Sequence, residues 1–110
     1  MVSSVTKHII YTLQLIGIGS KMTRNIFREY INIDIKTDED YRLFMSEFKG
    51  NNPEIQGLGN RELTNAINQG DRLIDESEKR GIKLISEFDK SYPEKLKNEI
   101  NRPIIINYIG

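Results

Sequence analysis

The chain has 110 residues, of which 37% are hydrophobic and 29% are charged; this composition is typical of one soluble globular domain and excludes a disordered chain. Its 16 basic residues balance its 16 acidic residues, so there is no general attraction to nucleic acid and any affinity for DNA must come from a local arrangement. The absence of cysteine and the single histidine exclude disulfides, thiolate zinc sites and cysteine nucleophiles, and we expect neither a metal nor a cofactor.

The first predicted helix begins at a serine that can cap it, Ser3 or Ser4, and ends at about Leu15. Its apolar residues recur at helical spacing and form one face: Val5, Ile9, Leu13 and Ile16. His8 lies beside that face. For a lone histidine at such a position we expect a surface or half-buried imidazole without a functional role.

The segment from Leu15 to Met22, Leu-Ile-Gly-Ile-Gly-Ser-Lys-Met, predicts a turn between two helices. A glycine in a helix interior costs about 1 kcal/mol relative to alanine, whereas in a turn Gly17 and Gly19 let the backbone approach another molecule closely. Ser20 stands where an N-cap residue is expected, and the free N–H groups of the next helix would point outward. Such a turn can bind a phosphate at the positively polarised start of a helix. The pattern resembles the hairpin of helix-hairpin-helix (HhH) modules, which contact nucleic-acid backbones without reading sequence.

The second predicted helix runs from about Lys21 to Ile31 and has two distinct faces. One broad arc is apolar and consists of Met22, Ile26, Phe27, Tyr30 and Ile31. The other side carries a basic stripe that starts beside the turn, so the predicted DNA-binding residues are Gly17, Gly19, Ser20, Lys21, Arg24 and Arg28. An ordinary solvated face would show the same stripe, and the neighbouring Glu29 weakens its field. Three phosphates neutralised on a single strand give a log–log salt slope of only about −2, so this module alone would bind DNA weakly.

The third predicted helix opens at Thr37, with carboxylates at positions 38–40 in its first turn, where they favour the helix dipole. Its apolar residues follow the i, i+3, i+4, i+7 pattern: Tyr41, Phe44, Met45 and Phe48. Aromatic side chains can form a base-stacking platform, but at this spacing we expect them in the core. The acids at the helix start would also repel phosphate.

A second Gly-apolar-Gly pattern follows a loop and precedes the fourth predicted helix, which runs from about Asn60 to Arg80. The residues of this possible second hairpin are Gly57, Gly59, Asn60 and Arg61. With Arg61 as its one following cation and Glu62 beside it, we expect a structural turn rather than a DNA clamp. Gly70 and Ser77 on the apolar stripe of this helix predict close approach by another helix.

Gly81 fits the position that ends a helix. Beyond it the helical spacing of apolar residues gives way to short segments typical of strands. A short strand is predicted over Ile82–Ile85 and a brief helix over Pro93–Leu96. The β-branched run Ile104–Ile109 is typical of a strand buried on both faces of a parallel sheet. Two short strands cannot bury it. We therefore expect a mainly α fold in which residues 1–81 form a four-helix domain and residues 82–110 form a short α/β extension, with one or two small strands, that begins a larger α/β domain.

Three segments of this region resemble the N-terminal part of the DprA/Smf proteins: Gly81-Ile-Lys-Leu-Ile85, Tyr92-Pro-Glu-Lys-Leu96 and Pro103-Ile-Ile-Ile-Asn-Tyr-Ile-Gly110. In that family an HhH- or SAM-like helical region leads through such segments into a Rossmann-like domain. The resemblance covers essentially the whole chain, and the Tyr-Pro…Leu segment with the Pro and apolar strand ending in Gly is its most specific part. The family's glycine-rich stretch and basic single-strand pocket would lie beyond Gly110, so none of its principal DNA-binding residues carries over.

The resemblance implies DNA processing in the cytoplasm, in natural transformation and DNA recombination. DprA proteins bind single-stranded DNA and load the RecA recombinase onto it, and they have no established catalytic site. The implied partners are single-stranded DNA, bound weakly or only in the full-length protein, and a RecA-type recombinase or regulator. With no long apolar run and no signal-peptide pattern, we expect no membrane association.

A second hypothesis is a protein–protein interaction module without DNA binding of its own, since SAM-like domains commonly bind other proteins and the net charge is zero. An enzyme is not expected. The acids at positions 38–40 are explained by capping, and Asp71, Asp75 and Glu78 along the fourth helix look like a solvated face.

Overall fold

The structure, a computed structural model, describes residues 2–15, 18–52 and 59–109. In these residues it contains five helices and two strands: α1 (Ser4–Leu13), α2 (Ser20–Tyr30), α3 (Asp38–Asn51), α4 (Asn60–Lys79), β1 (Ile82–Ser86), α5 (Glu94–Lys97) and β2 (Ile105–Ile109). The strands form a two-stranded sheet. The predicted mainly α fold with a short strand-bearing extension is confirmed at this level. The division of the chain at residue 81 stays a prediction.

The ends of the helices follow from local capping. The Ser3 hydroxyl accepts a hydrogen bond from the Thr6 N–H, and Thr37 forms a reciprocal capping box with Asp40. Gly81, at φ +70°, adopts the left-handed conformation that commonly follows a helix. Helix α4 begins at Asn60 as predicted, and α2 begins at Ser20, one residue before the predicted start. The predicted caps, Ser20 and Asn60, are wrong by one residue, because Gly19 and Gly59 hold the N-cap positions.

Helix α1 lies at the centre of the structure and packs against α2, α4 and β1. Its Ile9 and Tyr11 are fully buried, as are the core residues Ile26, Phe27 and Met45 from α2 and α3. At Gly70 of α4, a Cβ atom would come within 2.4 Å of the Tyr11 ring. The close helix approach predicted at Gly70 is therefore confirmed, and so is the core position of the α3 aromatic residues.

The sheet differs from the expected one. Strand β2 pairs antiparallel with β1, with Ile82 opposite Ile109 and Ser86 opposite Ile105, whereas its composition predicts a parallel partner. Only the residue before the strand, Ile104, is buried, at 4% exposure, and Ile109 is 84% exposed. In the described part of the chain the β-branched run is therefore not covered on both faces.

Two carboxylates attach the segment around this sheet to the helices. Glu87 accepts hydrogen bonds from Arg24 of α2 and from Arg102, and Arg24 also donates to the Arg102 carbonyl at 3.0 Å. Asp89 accepts from the hydroxyls of Ser3 and Thr6 at the start of α1. Because the Glu87 side chain is only 6% exposed, its charge depends on the two arginines for compensation.

Replacing Glu87 by glutamine should lower the free energy of unfolding by about 2–3 kcal/mol, because it leaves two half-buried guanidinium groups without their counter-ion. Urea denaturation measures this change. Glu94→Gln is the matched control, since the one ion pair of Glu94 among the described residues is an exposed pair with Lys97 at 3.4 Å, and its loss should cost at most about 0.5 kcal/mol. Equal effects of the two substitutions would contradict the assigned role of Glu87.

Candidate nucleic-acid interface

The N-terminus of α2 is open to solvent. Its N-cap Gly19 is extended (φ −88°, ψ −176°), and within the described part of the chain no side-chain hydrogen bond caps the first turn. Ser20 cannot act as the N-cap, because it is already the first helical residue. Gly19, Ser20 and Lys21 are all exposed. The first turn therefore presents backbone N–H donors and the positive end of the helix dipole to solvent.

Neither packing nor backbone conformation requires the glycine at position 19. A Cβ atom there would meet nothing within 4 Å, and the φ angle is one that any residue adopts. This contrasts with Gly70, where Tyr11 fills the space that a side chain would need. The effect of glycine at position 19 is to leave the amides of α2 uncapped and sterically accessible.

Two of the three predicted cations lie on solvent-facing positions of α2. Lys21 stands in the first turn and Arg28 in the last, and both are exposed. Two helical turns separate them, about 10 Å along the axis. Within residues 2–15, 18–52 and 59–109, neither forms an ion pair with a carboxylate.

Arg24 does not join them. Its guanidinium donates to Glu87 and to the Arg102 carbonyl, and its side chain is only 17% exposed. Sequence spacing could not reveal this contact, because Glu87 lies 63 residues further along the chain. The predicted stripe of three cations is therefore reduced to Lys21 and Arg28. Gly17 lies outside the described residues.

The second hairpin has a different electrostatic environment. The Gly59 N–H donates to a carboxylate oxygen of Glu62 at 3.1 Å, so an acidic group already lies at the start of α4. Asn60 and Arg61 are exposed, and Gly57 lies outside the described residues. A phosphate at this position would meet the negative charge of Glu62.

His8 is fully buried, which corrects the expectation of a surface or half-buried imidazole. Its ring stacks on Tyr41, with centroids 5.0 Å apart and planes at 9°, and its Nδ1 pairs with the Tyr30 hydroxyl. Its Nε2 lies 3.4 Å from an Asp38 carboxylate oxygen. Because a carboxylate can only accept, the proton of the neutral ring belongs on Nε2, and Nδ1 accepts from Tyr30.

Burial lowers the pKa of His8 below its ordinary value of 6.5, and the bond to Asp38 opposes this shift only in part. Burial also raises the pKa of Tyr30 to about 12, so this hydroxyl stays protonated and able to donate. The histidine is thus a neutral core residue. Sequence analysis missed its burial because its polar ring gives no signal in an apolar pattern.

A groove at the opposite end of α2 was also missed. It runs between the last turn of α2 and helix α3, and its lining residues are Glu29, Ile33, Phe44, Glu47, Phe48 and Asn52. The one sequence signal was the isoleucine at position 33 in an otherwise polar connection, which periodicity alone does not assign to any face.

The described residues contain no group of three histidine, aspartate or glutamate side chains placed to hold a metal ion. None of the helices among them combines the length and apolar character that crossing a membrane requires. Comparison of the chain with protein-family models, with curated proteins and with solved structures finds no match.

The lowered pKa of His8 predicts that the stability of the fold depends on pH. The unfolded chain takes up a proton near pH 6.5, whereas the native state resists it, so the free energy of unfolding should fall as the pH drops below about 7. One such group contributes at most about 1 kcal/mol between pH 6.5 and 5.5. Urea denaturation across this range measures it. His8→Gln should remove this part of the slope, and an unchanged slope in that variant would contradict the assignment.

Proposed function

We propose that the chain is the N-terminal accessory module of a DprA-like DNA-processing protein, with an HhH- or SAM-like helical bundle, and that it contacts the backbone of single-stranded DNA weakly and without sequence preference. The observation that carries the proposal is the uncapped, exposed N-terminus of α2 beside Lys21. The order of four helices followed by a short strand is compatible with the resemblance from which this proposal started.

The physical basis is the anion affinity of a bare helix start. A phosphate at Gly19 and Ser20 would accept hydrogen bonds from the first-turn amides and gain from the helix dipole. Lys21 would add its charge at the same point, and Arg28 would reach a second phosphate along the strand. None of these groups contacts a base edge, which is why the proposed binding is independent of sequence.

The proposed contact is an accessory one. Two cations neutralising two phosphates of a single strand give a log–log salt slope of about −1.4. The balanced charge of the chain adds no long-range steering. We therefore assign single-stranded DNA binding of biological strength, and the loading of a RecA-type recombinase, to the whole DprA-like protein rather than to this module.

The sharpest test is Gly19→Asp. An aspartate at the N-cap should accept hydrogen bonds from the first-turn amides, which should raise the free energy of unfolding by about 0.5–1 kcal/mol. The same carboxylate should abolish binding of a fluorescent oligo-thymidine, measured by anisotropy at about 20 and 100 mM salt. Gain of stability with loss of binding cannot come from damage to the fold.

Charge variants supply the control. Lys21→Glu should weaken the oligo-thymidine complex, whereas Lys83→Glu, an equal charge change at an exposed position of β1, should leave it unchanged. Unaltered binding by Gly19→Asp, or equal losses in the two lysine variants, would overturn the proposal.

A further inference from the structure

The ion pair between Arg24 and Glu87 joins helix α2 to residues 82–109, which we call the strand segment. Arg24 donates from Nε to a carboxylate oxygen of Glu87 and from Nη2 to the Arg102 carbonyl, the latter at 3.0 Å. Its side chain is 17% exposed, so the guanidinium lies at the edge of solvent rather than in the core. The fork of donors with which an arginine binds a phosphate is therefore occupied from within the chain.

By its position on α2, Arg24 belongs with the two exposed cations of the proposed DNA contact. It follows Lys21 by three residues and precedes Arg28 by four, and residues at these spacings share one face of a helix. Along the helix axis it lies about 4.5 Å from the first and about 6 Å from the second. A guanidinium released from Glu87 would therefore add a third cation between the two that the contact already uses.

Glu87 keeps its place in the strand segment without Arg24. Its N–H donates to the Ile104 carbonyl at 2.9 Å, and its second carboxylate oxygen accepts from Arg102 at 2.8 Å. Asp89, two residues later, accepts from a hydroxyl of α1. Because Arg102 remains as a counter-ion, the loss of Arg24 does not leave the buried carboxylate uncompensated. The contact between Arg24 and Glu87 can therefore open while the strand segment stays attached to α1.

We propose that Glu87 competes with DNA phosphate for Arg24, so that the strand segment holds the DNA contact of α2 at two cations instead of three. A carboxylate and a phosphate accept hydrogen bonds from the same guanidinium donors, and one fork cannot serve both. The contact is thus autoinhibitory. By linkage, a phosphate bound to Arg24 weakens the attachment of α2 to the strand segment as much as that attachment weakens phosphate binding. This inference rests on the proposed function and adds the regulation of its site.

The test compares oligo-thymidine binding by the unsubstituted chain and by Glu87→Gln, using anisotropy between about 20 and 200 mM salt. Glutamine has nearly the shape of glutamate but no charge, so it should release Arg24. The log–log salt slope should steepen from about −1.4 to about −2.1, because a third phosphate is neutralised, and the affinity at about 20 mM salt should rise about tenfold. Adding Arg24→Gln to Glu87→Gln should return the slope to about −1.4.

Glu94→Gln controls for the change of net charge. It removes one negative charge from an exposed position of the same segment, where the ion pair of Glu94 within the described residues is with Lys97. It should leave the affinity within about twofold of the unsubstituted chain. Urea denaturation shows whether each variant is folded at the temperature of the titration.

Arg24→Gln alone gives a second measurement that does not depend on the folding of Glu87→Gln. It should keep the slope at about −1.4, because Arg24 does not contact DNA while Glu87 holds it. A slope that falls to about −0.7 in this variant would show that Arg24 already binds phosphate, and it would overturn the proposal.

The remaining outcomes separate this inference from the proposed function. If the chain binds oligo-thymidine and Lys21→Glu weakens that binding, but folded Glu87→Gln gains nothing, Glu87 is not a competitor and the DNA contact stands. If the gain persists when Arg24 is also replaced, or if Glu94→Gln gains as much, Glu87 acts through its charge in general and the inference is wrong. If no variant binds, the inference and the proposed function are both overturned.

Discussion

The arrangement of the helices depends on the buried polar side chains of α1. Each one bonds to a different neighbouring element: Thr6 with Ser86 and Asp89, His8 with Tyr30 of α2, Tyr11 with Asp71 of α4, and Thr12 with Tyr41 of α3. A buried polar group without a partner costs about 1–3 kcal/mol. Rotating or sliding α1 would break several of these bonds together, so that cost selects one packing among the many that an apolar helix would allow. The apolar residues of α1 supply burial, and its polar residues determine which surfaces meet.

This constraint decides which parts of α2 remain available for binding. Three kinds of contact fix the position of α2: the hydrogen bond between Tyr30 and His8, the burial of Ile26 and Phe27, and the ion pair between Arg24 and Glu87. Its first two residues, Ser20 and Lys21, are exposed and lie outside these contacts, whereas its last residue, Tyr30, makes one of them. The N-terminal end presents first-turn amides that no side chain of the described residues caps, and the C-terminal end adjoins the groove that Glu29, Phe44 and Phe48 help to line. The two ends of α2 therefore differ in the sign of the helix dipole that each presents.

The sequence predicted what local physics determines. The helices and strands lie within about two residues of their predicted positions, and the core role of the α3 aromatics and the close approach at Gly70 are confirmed. These features follow from periodicity, capping and side-chain volume. It did not predict what distant partners determine. By its spacing Arg24 belongs to a solvent-facing stripe, but in the folded chain its guanidinium bonds to Glu87. His8 is a polar residue whose burial is possible because Tyr30 and Asp38 provide hydrogen-bond partners for its ring. The antiparallel pairing of β2 has the same origin, because the composition of a strand does not encode the direction of its neighbour. The predicted DNA contact is neither confirmed nor contradicted by the structure, and it stays a prediction.

The two Gly-apolar-Gly segments give a more specific rule. Gly19 and Gly59 are both N-cap residues in extended conformation, and neither has a side chain to close its helix. Three residues later the first helix has Met22 and the second has Glu62, whose carboxylate accepts from the Gly59 N–H. Among the described residues the first helix start therefore has no carboxylate cap, while the second has one. Glycine spacing alone does not distinguish a phosphate-binding turn from a structural turn. In this chain the residue at the third helical position differs between the two helix starts, and it determines whether the chain itself places a negative charge there.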